Sequence, residues 1–96
     1  MLAAAAMDGD DDLPRAAVHL RTALENEPGS TAAREALDRV AERARALYLH
    51  AYVIKETDPQ SAARALRLVT AALPPDDEVA RKALVWLRRL EPAEGR

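Results

Sequence analysis

Apolar residues between positions 13 and 90 return every third or fourth place, and that spacing predicts helices with one buried face. Leu13, Ala16, Ala17, Leu20, Ala23 and Leu24 make the first stripe, over 12–27. Ala33, Leu37, Val40, Ala44, Leu47, Ala51 and Ile54 follow at steps of 4, 3, 4, 3, 4 and 3 without a glycine or proline between them. They predict one uninterrupted helix over 31–56, roughly 39 Å long. Its opposite face carries Arg34, Glu35, Asp38, Arg39, Glu42, Arg43 and Arg45, the makings of a solvated surface. Ala62, Leu66, Val69 and Leu73, with Ala65 and Ala72 beside them, predict a helix over 59–73. Val79, Ala83, Trp86, Leu87 and Leu90 predict a last one over 76–90, with 92–96 a frayed tail. A shorter apolar run over 2–7 predicts about one and a half helical turns.

Breakers and caps fall between the stripes. Pro14 suits a first turn, where its missing N–H costs nothing, and Asp12 before it is placed to cap. Pro28-Gly29 ends one helix, and Ser30 or Thr31 caps the next. Thr57-Asp58-Pro59 is a turn in which Asp58 caps and Pro59 opens a helix. Pro74-Pro75 breaks that helix before Asp76-Asp77-Glu78 begins another. Asp8, Asp10 and Asp12 alternate as in a calcium loop, but such a loop needs glycine at its sixth position and glutamate at its twelfth. Leu13 and His19 stand there instead, so the run reads as a turn leading into a helix whose positive end it favours.

Composition sharpens this to an all-α chain. Alanine accounts for 22 of the 96 residues, phenylalanine is absent, and the aromatics are Tyr48, Tyr52 and Trp86. A helix with alanine on its buried side lets a neighbouring backbone come close, so the expected architecture is antiparallel helical hairpins, four or five helices with one long central one. Residues 1–91 read as a single domain with a modest core. The net charge of −2 gives no global field to draw nucleic acid or an anionic membrane. Residues 60–96 are mildly basic, with seven bases against five acids. There is no cysteine, and no run approaches the roughly 20 apolar residues of a membrane span. The expected setting is cytoplasmic, with neither nucleic acid nor membrane as partner.

One motif occurs twice. Ala16-x3-Leu20-x2-Ala23-x4-Pro28 is matched by Ala62, Leu66, Val69 and Pro74, 46 residues further on. In this the chain resembles tetratricopeptide repeats. Their second helix carries an alanine, a large apolar residue, a second alanine and a terminal proline. The usual period is 34 residues, and the long helix absorbs the excess. The resemblance implies two helical hairpins in a protein-binding scaffold that holds extended peptides on the exposed face of each first helix. The first helix of the first repeat would have to precede residue 1, so the chain reads as a piece of something larger. Residues 47–91, through Ala51–Pro59, Pro75–Glu78 and Lys82-Ala83-x2-Trp86-Leu87-x2-Leu90-Glu91, are also similar to C-terminal helical segments of bacterial signalling proteins that carry forkhead-associated domains. That likeness implies a bacterial signalling adaptor.

On the tetratricopeptide-like reading, Arg45, Tyr48, Tyr52 and Lys55 share one row, two aromatics between two cations. Such a strip would hold an acidic or carboxylate-ended peptide. The plainer alternative packs both tyrosines into the core with their hydroxyls in water. Trp86, between Val85 and Leu87, is either the wedge of the terminal hairpin or the mark of a dimer or partner surface. Arg81, Lys82, Arg88 and Arg89 read as a solvated face, with contact to an anionic partner as the alternative. His19 and His50 lack a second ligand at i+3 or i+4, and zinc needs three or four. Ser30 and Ser61 stand at helix starts, and no Ser/His/Asp grouping or glycine-rich phosphate loop is present. The expectation is therefore an interaction module without catalysis, cofactor or metal, whose partner is another protein or peptide. The alternative is a homodimer through the helix over 31–56.

Overall fold

A computed structural model describes residues 11–90, which form four helices: α1, Leu13–Asn26; α2, Thr31–Ile54; α3, Pro59–Ala72; and α4, Glu78–Leu90. No strand occurs among the described residues. The expected helix over 2–7, most of the aspartate turn and the tail at 92–96 lie outside them. Connections of four or five residues leave each helix little choice but to run back along its predecessor. α3 sits at the middle of the bundle, packing on α1, α2 and α4, while α2 and α4 touch each other only slightly.

The core consists mostly of alanine. Ten of the fourteen buried apolar residues are alanines: Ala17, Ala33, Ala44, Ala51, Ala62, Ala63, Ala65, Ala72, Ala80 and Ala83. Leu13, Leu66, Val69 and Leu73 complete the set, and Leu66 and Val69 are its largest fully enclosed side chains. A methyl group in place of a branched side chain lets two helix axes approach, which is how a chain without phenylalanine excludes water from its interior. The stripe on α2 faces inward throughout: Ala44 and Ala51 are fully buried, and Leu37, Val40, Leu47 and Ile54 pack against the core. The repeated motif is buried unequally. Ala62, Leu66 and Val69 are enclosed because α3 is flanked on several sides, whereas Ala16, Leu20 and Ala23 are half-buried because α1 lies at the edge.

Two of the expected caps form as read. The Ser30 hydroxyl accepts from the Ala33 amide at 3.2 Å, and the Asp58 carboxylate accepts from the Ser61 amide at 3.2 Å. Hydrogen bonding from Ser61, through its side chain and then its amide, holds the Asp58 carboxyl below its ordinary 3.8. One expected cap is absent, and two helix ends differ from the sequence expectation by more than one residue. Asp12 precedes α1 but makes no side-chain cap; its backbone is already right-handed helical (φ −89°, ψ 0°), which turns the carboxylate away from the amides a cap would satisfy. α2 stops at Ile54, short of 56: the Ile54 carbonyl still accepts from the Asp58 amide (2.7 Å) and the Thr57 hydroxyl (3.3 Å), but Pro59 has no N–H for the next carbonyl and Asp58 before it leaves the helical region (φ −145°, ψ 73°). α4 begins at Glu78, not 76, because the Asp77 carboxylate accepts from the amides of Val79 (2.8 Å) and Ala80 (3.3 Å). At the other end of α3, Arg21 of α1 donates to the Ala72 carbonyl at 2.6 Å, placing a cation on the negative end of the helix.

Candidate functional site

The alanines that bring α2 and α4 onto α3 also fix what lies beside them. Ala51 and Ala83 are fully enclosed. On α2, Tyr48, Leu49, Tyr52 and Lys55 succeed one another at helical spacing next to that seam. On α4, Lys82, Val85, Trp86 and Arg89 do the same at i, i+3, i+4 and i+7. α2 and α4 touch each other only slightly, and the two rows border an open cleft of about 550 Å³ lined by Tyr48, Leu49, Tyr52, Lys82, Val85 and Trp86. The volume is in the range of ligand and peptide pockets. Its walls leave apolar surface in water: Leu49 is 62% exposed, Val85 49% and Tyr52 47%, and Val53, one turn beyond Leu49, is 77% exposed.

Aromatic and cationic groups gather at one end of this cleft. The Tyr52 ring meets Trp86 nearly edge-on, centroids 5.6 Å apart at 80°, and Tyr48 lies 6.4 Å from Tyr52. The Lys55 ammonium stands 4.0 Å from the Tyr52 centroid and 4.9 Å from that of Trp86. The Arg89 guanidinium is 5.0 Å from the same Trp86 ring. An edge-on aromatic pair contributes about 0.5–1.5 kcal/mol beyond its buried area, and an exposed cation over a ring about 0.5–1 kcal/mol. The cluster therefore pins α4 against the end of α2 where their backbones barely meet. Lys55 also donates to the Tyr52 carbonyl at 3.4 Å.

Of the four residues expected to form a strip, three are brought together. Tyr48 is half-buried against the core, Tyr52 is exposed, and Lys55 covers Tyr52; the two tyrosines thus divide between the alternatives the sequence left open. Arg45 does not line the cleft. It pairs with Asp77 at 3.4 Å, the same carboxylate that starts α4, so it braces the α3–α4 turn. The second wall was missed, since Lys82 and Arg89 read as solvated surface. The available signals were Val85 beside Trp86, which widens the apolar face of α4, and the pair Leu49 and Val53, apolar but off the inward stripe of α2.

A second hollow of similar volume, more polar, lies at the start of α3 among Gln60, Ser61, Arg64 and Arg67. There Asp58 already occupies the Ser61 amide that an anion would use. No cluster of three or more histidine, cysteine, aspartate or glutamate side chains among the described residues is arranged to hold a metal ion. His19 and His50 are exposed on different helices. No helix among the described residues is long and apolar enough to cross a membrane. No protein-family model matches this chain, and no curated protein or solved structure matches it either.

Proposed function

We propose that the chain is a non-catalytic protein–protein interaction module that holds a segment of its partner in the groove between α2 and α4. One observation carries this reading: an open cleft walled by Leu49, Tyr52 and Val85, three apolar or aromatic side chains exposed to water, and by the half-buried Trp86. Exposed apolar surface of this extent costs free energy unless a partner covers it. Tyrosine and tryptophan, large and rigid, are the residue types that dominate binding energy at interfaces. The tetratricopeptide-like reading belongs to the same proposal, with α2 as the first helix of a hairpin and α3 as the second; its working face is then the one that carries Tyr48 and Tyr52.

A photo-crosslinking amino acid placed at Leu49 tests the reading against the same probe at Val18, an exposed residue of α1. Partners trapped from Leu49 and lost on Tyr52→Ala, with helicity unchanged, support it. Equal trapping from Val18, or indifference to Tyr52→Ala, counts against it. Self-association is the second reading, favoured by the exposure of Leu49 and Val53 on the long helix. The inward stripe offers no such seam, because Val40 and its neighbours pack against the core. Sedimentation that shows a dimer at micromolar concentration, dissolved by Val53→Asp, would select that reading.

A further inference from the structure

We infer that the occupant of the α2/α4 groove is an acidic amphipathic segment of a partner protein, with aliphatic anchors on one face and carboxylates along its border. This rests on the groove being the binding face, and it adds the chemistry of what binds there.

Three observations carry it. First, two of the three cations around the groove, Lys55 and Arg89, have no carboxylate partner among the described residues. α4 has four bases, Arg81, Lys82, Arg88 and Arg89, against the single acid Glu78. Glu78 lies 3.6 Å from Lys82 in an exposed pair. No carboxylate among the described residues pairs with Lys55 or Arg89. Second, those two charges converge. Each lies within about 5 Å of the centre of the Trp86 ring, so they are no more than about 10 Å apart, a distance that carboxylates within about two helical turns of a ligand can span. Third, the aromatic faces already hold this chain's own cations. A cationic ligand would have to displace Lys55 or Arg89, whereas an anion adds to both.

The same charges weigh against a second copy as the occupant. A two-fold contact through this groove would set the basic row of one α4 close to its own equivalent, and like charges brought together oppose association. Nucleic acid also prefers cations with aromatics, but its stacked bases leave no use for Leu49 and Val85 on the groove walls, which fit an aliphatic anchor.

Trp86 is the only tryptophan in the chain and lines the groove, so its emission reports occupancy directly. The whole chain would be titrated with a short synthetic helix bearing leucines on one face and glutamates flanking them. Its glutamine and lysine analogues and a single-stranded thymidine oligonucleotide serve as comparisons. The glutamate peptide is expected to shift Trp86 emission saturably. The glutamine analogue should bind about tenfold more weakly, the difference made by charge-assisted hydrogen bonds. Affinity for the glutamate peptide should fall with added salt. The double variant Lys55→Glu/Arg89→Glu, checked by circular dichroism for native helicity, should prefer the lysine analogue. Lys55→Gln, which keeps most of the stem packing, should weaken the glutamate peptide without inverting the preference. Equal binding of the glutamate and glutamine peptides would overturn the inference about charge and leave the groove reading standing. No response to any of the three peptides would overturn both. Tighter binding of the oligonucleotide than of the glutamate peptide would replace the partner class.

Discussion

Leu66→Ala tests how the fold is held together, because Leu66 is one of only two large side chains fully enclosed among the described residues, in a core made mostly of alanine, and it sits on the helix that all the others touch. Removing a buried leucine side chain down to alanine destabilises by about 2–5 kcal/mol, more where the surroundings cannot close over the gap. Alanine neighbours have no rotamers with which to fill the space, which points to the upper half of that range, about 3–4 kcal/mol. Domains of this size have about 5–15 kcal/mol in total. The control is Leu49→Ala, the same chemical change in a helix at a site 62% exposed to water. Helix propensity changes equally in both variants and cancels in the comparison, and Leu49→Ala should stay within about 0.5 kcal/mol of the parent. Urea unfolding, followed by circular dichroism and by Trp86 emission, measures both. With a urea dependence of about 1–1.5 kcal/mol/M, the midpoint of Leu66→Ala should fall by about 2–4 M and that of Leu49→Ala by less than about 0.5 M. Equal shifts for the two variants would refute the claim that α3 is the hub of the core.

Three further outcomes follow from the same geometry. Ala44→Leu should cost about 1–3 kcal/mol by overpacking a fully enclosed site, while Ala46→Leu, exposed on the same helix, should be nearly neutral in thermal unfolding. Ser30→Ala should lose about 1 kcal/mol with the cap it removes, and Asp12→Ala should lose little, since Asp12 makes no side-chain cap; paired urea curves decide. Asp58 gives a pH dependence. Its carboxyl is more acidic in the folded protein than its ordinary 3.8, so its contribution is fully present above that value and disappears as pH falls through the folded one. The stability difference between the parent and Asp58→Ala should therefore be constant from neutral pH down to about 5 and close on further acidification. A gap that widens on acidification would reverse the sign of the argument.

Helix existence, order and inward faces were legible in the sequence because three- and four-residue spacing translates directly into a buried stripe: each position read as core on the long helix, from Ala33 to Ile54, is buried or half-buried. Helix ends were legible only where one short side chain decides them, as at Ser30 and Asp58. Asp77 won over Asp76 as the start of α4 through bonds to two amides that spacing does not distinguish. The groove was half legible. Tyr48, Tyr52 and Lys55 could be aligned because they share one helix. Their partners on α4 are more than 25 residues away, and how they face Tyr52 depends on how closely Ala51 and Ala83 let two helices settle on a third. Arg45 went elsewhere for the same reason: its carboxylate partner, Asp77, comes near only after the chain has turned back twice.

Heteronuclear NMR on the labelled chain, titrated with the glutamate-flanked peptide, addresses the working face most directly, because the Trp86 indole N–H gives a signal of its own. The account predicts shifts confined to Leu49, Tyr52, Lys55, Lys82, Val85, Trp86 and Arg89, with Val18 and the rest of α1 unmoved. Shifts centred on α1 or on the hollow at Arg64, with the Trp86 indole unchanged, would contradict it.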